Sequence, residues 1–160
     1  MVTDFMDLRV LPDTDIEYYL APVVIWSQCF NRVLGLGEDD WSCFIIPEGS
    51  GTNGASWNPL VCTLIWMHKR SPKIRWAASG HDWLYKMAGK KVEFFKFNRA
   101  TREMGESLGG HKITRFNADT FIAKKSSSLG SNFYQADMIR LGLFLGGWYA
   151  FNKYKKFNLK

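Results

Sequence analysis

The amino-acid sequence predicts an α+β domain, with a small N-terminal antiparallel β-sheet followed by a mostly helical C-terminal part with a long final helix. Residues 8–47 contain short runs rich in Val, Ile, Tyr and Trp, separated by turn signals, as strands are. From Ser71 onward, apolar residues recur at the three-and-four spacing that is typical of helices. With 160 residues, the chain is long enough for one domain with its own hydrophobic core.

The predicted organisation is a single domain over residues 1–160. It divides into a β-rich part (8–47), a polar glycine loop (48–58), a helical part (59–155) and a basic tail (156–160). Glycines in the loop could turn backbone N–H groups toward an anion, although no Gly-Lys-Ser/Thr ends it as in a nucleotide-binding phosphate loop. A tight connection between sheet and helix is the other interpretation of this loop.

In the β-rich part, residues 16–26 and 41–46 have the strongest strand character. In the helical part, helices are predicted over residues 60–67, 72–88, 90–112, from Thr114 onward, and over 132–154. The helix over 90–112 is expected to be amphipathic and to end at a pair of glycines. The last helix carries one apolar stripe (Tyr134, Met138, Leu141, Leu145 and Trp148) and a flat patch for close packing (Gly142, Gly146 and Gly147).

A histidine and an acid, His81 and Asp82, stand side by side in the helix predicted over 72–88. The apolar or small residues at helical spacing around them form one face, which includes His81: Ile74, Ala77, Ala78, Leu84, Tyr85 and Ala88. Two titratable groups beside an apolar seam cost free energy unless they are paired. Gly80, just before the histidine, indicates that another chain segment passes close by, since glycine is a poor helix former.

Arg115 and Asp119 are four residues apart on one predicted helical face, together with Ala118 and Ile122. Their spacing fits inward-facing polar groups, and it fits a surface ion pair equally well.

The composition and charge of the chain indicate which partners and cellular settings it could have. The formal net charge of +6 favours anionic partners such as nucleic acid, phosphate or acidic lipid, but many ordinary surfaces are as basic. The three cysteines lack metal-binding spacing and indicate reduced core residues. The acids near the N-terminus predict that there is no export signal, and no segment reads as a transmembrane span.

Three blocks of residues stand in an order that resembles a known family. They are Pro47, Thr52, Ala55 and Ser56; His81-Asp82-Trp83-Leu84-Tyr85; and Arg115-Phe116-Asn117-Ala118-Asp119-Thr120-Phe121. This order is similar to a family of small proteins from tailed phages and prophages that is catalogued as domain of unknown function 1353. The resemblance covers roughly residues 15–153. The chain departs from the family at Asn53, where an aspartate is usual, and residues 86–114 form a longer stretch than usual.

The resemblance implies a compact α+β domain in which these three blocks meet. The loop would contribute Thr52, Asn53 and Ser56 as binding residues, and the later block would contribute Arg115. Asp119 would then face inward and fix the tautomer of His81.

Two classes of function follow, with a third behind them. The first is a virion-associated structural or accessory protein, located in the virion or the host cytoplasm, that contacts other virion proteins or itself. The second is a metal-dependent hydrolase acting in host lysis or cell-wall degradation. His81, Asp82 and Asp119 would be its catalytic residues, and His81 and Asp119 could ligate a divalent metal. The third is a nucleic-acid-binding accessory protein, based on the net charge and on a basic tail that could touch an anionic surface.

Overall fold

The strands of the protein form two antiparallel sheets. The computed structural model describes residues 8–10, 17–52 and 72–158. The larger sheet has the order β3-β4-β6-β7, formed by β3 (Val23–Ser27), β4 (Ser42–Ile46), β6 (Lys91–Asn98) and β7 (Glu103–Lys112). The smaller has the order β1-β2-β5, formed by β1 (Leu8–Val10), β2 (Glu17–Tyr19) and β5 (Gly51–Thr52). The predicted α+β class is confirmed.

Four helices complete the described part of the fold: α1 (Asn31–Leu34), α2 (Pro72–Lys86), α3 (Arg115–Ser128) and α4 (Phe133–Asn158). α2 gives way to a turn that ends at Gly89, whose φ of 84° only glycine adopts readily. α3 begins with the predicted cap: Thr114 and Asn117 bond reciprocally in a capping box. The helix predicted over 60–67 lies outside the described residues.

The prediction of a helix over 90–112 is wrong, because this segment is the β6–β7 hairpin. Its buried residues in β6 are Val92, Phe94 and Phe97, so the spacing is two and then three. The register between the two strands shifts between Phe94 and Phe95 and again between Phe95 and Phe97, with the extra residues on β7, and the strict alternation of β6 breaks at the same place. The two glycines expected to end a helix lie within β7.

The core lies between the larger sheet and the helices. Four aromatic side chains meet there, with ring centroids 5.1 to 6.1 Å apart: Phe30, Phe44, Phe94 and Phe121. Gly80 allows α2 to approach them, since a Cβ at this position would lie 2.7 Å from the Phe121 ring. The close approach predicted at Gly80 is therefore confirmed, and it brings α2 and α3 into contact in front of the sheet.

α4 packs against α2 and α3 through a face that differs from the predicted apolar stripe. Its buried side chains are Ala136, Ile139, Leu143 and Phe151. Tyr134, Leu141 and Trp148 of the predicted stripe point to solvent instead. Of the predicted glycine patch, Gly147 is in close contact with α2, whereas a Cβ at Gly142 would meet nothing within 4 Å. Across the described ranges, none of the helices combines the length and the hydropathy that a bilayer span requires.

Candidate functional site

His81 lies on the inner face of α2, toward α3. It is buried, with only 5% of its surface exposed. Its Nε2 atom lies 3.2 Å from Oδ1 of Asp119, which is hydrogen-bond distance. On the other side of the ring, Nδ1 lies 3.7 Å from Oδ1 of Asp82, which is ion-pair range but longer than a hydrogen bond. Both ring nitrogens therefore face a carboxylate.

Asp119 is the hub of this cluster. Its Oδ1 also accepts a hydrogen bond from the hydroxyl of Tyr85 at 2.5 Å. Its Oδ2 lies 3.6 Å from Nε of Arg115, one turn earlier on α3. The Asp119 side chain is 13% exposed, so the inward-facing interpretation of the Arg115–Asp119 pair is the one observed. We call His81, Asp82, Tyr85, Arg115 and Asp119 the His81 cluster.

The cluster shifts the pKa of two of its members. Burial of the His81 ring acts to lower its pKa, but the hydrogen bond with Asp119 and the charges of Asp82 and Asp119 raise it, and the net direction is upward. The pKa of Tyr85 is also raised, because burial and the neighbouring Asp119 disfavour a phenolate. The site therefore stabilises a protonated imidazole between two acids, and it keeps the Tyr85 hydroxyl as a donor.

α4 closes the cluster from outside. Gly147 lies over Tyr85, and a Cβ at this position would overlap the Tyr85 hydroxyl oxygen. One turn later, Phe151 packs edge-on against the Tyr85 ring, with centroids 5.2 Å apart. The Tyr85 and His81 rings are themselves in contact, at 4.0 Å between centroids. Three helices thus meet at the cluster.

The beginning of the predicted polar loop reaches the end of α2. The ammonium group of Lys86 donates a hydrogen bond to the carbonyl of Gly51 in β5. Thr52 is the neighbouring residue of β5, and it pairs with Glu17 of β2. The other two predicted loop residues, Asn53 and Ser56, lie outside the described residues.

The structure thus brings together His81, Asp82, Arg115 and Asp119, and holds the β5 end of the loop beside α2. The catalytic role of His81, Asp82 and Asp119 stays a prediction. The binding role of Arg115 and of the loop residues also stays a prediction. The role of Tyr85 as a donor to Asp119 is not predicted from the sequence. The signal was present: Tyr85 follows His81 by four residues and so lies on the same face of α2.

The metal-binding role of His81 and Asp119 also stays a prediction. A structural or catalytic metal site in a protein usually needs three or more protein ligands. Within residues 8–10, 17–52 and 72–158, no group of three or more His, Cys, Asp or Glu side chains is placed so that it could hold a metal ion.

A second feature of functional interest is the side of α4 that faces away from the core. Six exposed residues recur there at helical spacing: Tyr134, Asp137, Leu141, Phe144, Trp148 and Lys155. We call them the outward face of α4. Its four large apolar side chains are between 49% and 70% exposed. Exposed apolar patches of this kind mark interaction sites in soluble proteins.

Comparison with known proteins finds no relative of this chain. The chain matches no family model, no curated protein and no solved structure.

Proposed function

We propose that the protein is a bacteriophage-encoded structural or accessory component of the virus particle, and that it pairs with a second copy of itself through the outward face of α4. The observation that carries the proposal is the exposure of Leu141, Phe144 and Trp148 on a helix whose opposite side is already packed in the core. The resemblance of residues 81–85 and 115–121 to a phage family supports the particle setting.

The spacing of the outward face favours another helix as its occupant. Tyr134, Leu141 and Trp148 are seven residues apart, and Phe144 stands three residues after Leu141. Large apolar side chains at alternating spacings of three and four form the seam of paired helices. A helix that is apolar on several sides is ordinarily buried on those sides.

The charges on this face favour an antiparallel pair. Asp137 lies in the second turn of α4, and Lys155 lies in the last turn. In an antiparallel pair, the first turns of one copy lie beside the last turns of the other, so that Asp137 meets the opposite charge of Lys155. A parallel pair would place lysine against lysine. Such pairing is isologous and closes as a two-fold dimer.

The His81 cluster serves this function as a buried network that fixes α2, α3 and α4 relative to one another. Both ring nitrogens of His81 face carboxylates, and the ring is covered by Tyr85. Because buried polar groups are costly unless they are paired, such a network specifies one arrangement of the helices. The outward face depends on that arrangement.

The self-association is tested by sedimentation over a range of protein concentrations. We expect a dimer whose dissociation constant rises at least about tenfold when Leu141 or Phe144 is replaced by Glu, since a charge is then buried in the seam. Phe116→Glu is the matched control, because Phe116 is 76% exposed, lies on α3 and is not part of the outward face. A chain that stays monomeric at every concentration, or that is weakened equally by Phe116→Glu, contradicts the proposal.

The antiparallel arrangement has its own test. Asp137→Lys is expected to weaken the dimer because it meets Lys155 of the second copy, and adding Lys155→Glu is expected to restore it. If the double variant is no stronger than the single variant, the antiparallel arrangement is wrong.

A hydrolase is the second candidate, and the convergence of His81 with two carboxylates and Tyr85 favours it, since groups with shifted pKa values concentrate at active sites. His81 would act as a general base, with a divalent metal as the candidate cofactor. His81→Gln distinguishes the two functions, because the amide of glutamine can take the position of Nε2 and bond Asp119 but cannot act as a base. The hydrolase requires loss of host lysis with particle assembly intact. A structural component retains both wherever the variant folds.

A further inference from the structure

A cavity of about 200 Å³ lies on the side of the larger sheet where β3 ends, away from the His81 cluster. Its walls come from residues 27–29 at the end of β3, from Trp41 before β4, and from Lys124, Lys125 and Ser128 of α3. At roughly 30 Å³ per water molecule, the cavity holds about seven waters. Its volume therefore fits a small molecule.

Lys125 is the residue that makes this cavity unusual. It is buried, with 6% of its surface exposed. Its ammonium group donates to the carbonyl of Trp26 at 2.9 Å and lies 3.6 Å from the centre of the Trp26 ring. A lysine ammonium has three N–H donors, and among the described residues only the Trp26 carbonyl accepts from it, with no carboxylate in ion-pair range. With one donor on the Trp26 carbonyl and one facing the Trp26 ring, one donor remains for a ligand.

The charge around the cavity is positive. Lys124 contributes a second ammonium group to the wall. The guanidinium of Arg99 lies 4.9 Å from the centre of the ring of Trp41, which lines the cavity. Burial lowers the pKa of Lys125 to about 8, and no carboxylate opposes this effect. An anion would supply the missing negative charge.

The rest of the wall is neutral and partly aromatic. Burial raises the pKa of the Cys29 thiol, so that it stays protonated and can act only as a weak donor. The Ser128 hydroxyl donates to the Lys125 carbonyl at 2.7 Å, so its donor is already used within α3. Trp41 offers an indole against which a flat group can pack.

We propose that this cavity is a binding site for a small phosphomonoester, with the phosphate on Lys125 and Lys124 and the organic group against Trp41. A phosphate dianion suits a wall with two ammonium groups better than a monovalent carboxylate does. The site is independent of the outward face of α4 and of the His81 cluster.

The proposal is tested by isothermal titration of the full chain with phenyl phosphate and with inorganic phosphate. We expect saturable binding of both, with phenyl phosphate several-fold tighter because its ring packs on Trp41. Lys125→Met and Lys124→Gln should each weaken phenyl phosphate binding about tenfold, since each removes a charge-assisted contact. Lys112→Gln also removes one positive charge, and Lys112 is not one of the residues that line the cavity. It is therefore the matched control and should leave binding unchanged.

Lys124 is exposed, so its variant tests the site even where Lys125→Met reduces folding. Absence of saturable binding to the unmodified chain overturns the proposal. Equal weakening by Lys112→Gln and Lys124→Gln overturns it as well, because binding would then follow the net charge of the protein. Equal affinity for phenyl phosphate and inorganic phosphate overturns the assignment of the organic group to Trp41.

Discussion

His81 couples the packing of α2 against α3 to pH. Its pKa is raised in the folded chain above the ordinary value of about 6.5. Below that value the imidazole is protonated in both the folded and the unfolded chain, so the stabilisation from Asp119 and Asp82 is fully present. As the pH rises through the higher pKa of the folded chain, the proton leaves and that stabilisation is lost.

We therefore predict that His81→Asn costs more unfolding free energy at about pH 6 than at about pH 8 to 9. Urea unfolding of both proteins at a series of pH values measures the difference. Asp119→Asn should flatten the same pH dependence, because it removes one of the two charges that raise the pKa. A cost of His81→Asn that does not change with pH contradicts the pairing.

The residues of this site differ in how far the sequence could predict them. Helical periodicity placed His81 on a buried face, because the small and apolar residues around it recur every three or four positions. Periodicity could not bring Asp119 to it, since 38 residues separate them and the contact depends on the packing of two helices. Tyr85 was missed because an aromatic side chain on a buried face is ordinarily an apolar core residue.

At the scale of elements, one irregular hairpin and one two-sided helix account for the largest errors. In β6, the alternation of buried residues breaks where the register with β7 shifts, so that Phe97 follows Phe94 by three positions, and that spacing imitates a helix. In α4, both sides carry large apolar residues, so the sequence cannot tell which side packs inward. The observed choice follows from small residues such as Ala136 and Gly147, which let α4 approach its neighbours.

Two glycines of α4 give opposite predictions for the same substitution. Gly147→Ala should destabilise the protein, because the overlap of its Cβ with the Tyr85 hydroxyl costs about 1–3 kcal/mol against a gain in helix propensity of about 1 kcal/mol. Gly142→Ala meets nothing and should stabilise by up to about 1 kcal/mol. Thermal unfolding of both variants measures the two signs.

Tyr85→Phe tests whether overlap with the Tyr85 hydroxyl is the reason that Gly147→Ala destabilises the protein. It removes the oxygen that the new methyl group overlaps, so Gly147→Ala should cost less in that background. Additive costs for the two substitutions would show that the contact between Gly147 and Tyr85 is not the source of the effect.

At the scale of the whole molecule, one aromatic core joins the sheet to the helices. Phe44 and Phe94 come from the sheet, Phe30 from the residue before α1, and Phe121 from α3. Since each half buries its side chains against the other, neither half has a complete core alone. The described parts should unfold together in a single transition.

Phe121→Ala is predicted to destabilise the protein by about 3–5 kcal/mol, because it opens a cavity at the centre of this core. The matched change Phe116→Ala, five residues earlier on the exposed side of α3, should cost less than about 0.5 kcal/mol. Far-ultraviolet circular dichroism and tryptophan fluorescence should give the same midpoint for each protein. Two separate midpoints would contradict the single core.

The net charge of +6 is a property of the whole molecule. The lysines behind it include Lys124 and Lys125 at the cavity, which we assign to binding of a small anion. They also include Lys155 on the outward face, which we assign to contact with a second copy. The nucleic-acid hypothesis drawn from the same charge stays a prediction.

The side chain of Asn158, near the end of α4, donates to the carbonyls of Lys86 and Ala88, at 2.6 and 3.0 Å. These carbonyls lie at the end of α2, where a helix has no partners of its own. The ribosome adds Asn158 72 residues after Lys86. The two carbonyls at the end of the helix that carries His81 therefore lack this donor during translation until the last turn of α4 has emerged from the exit tunnel.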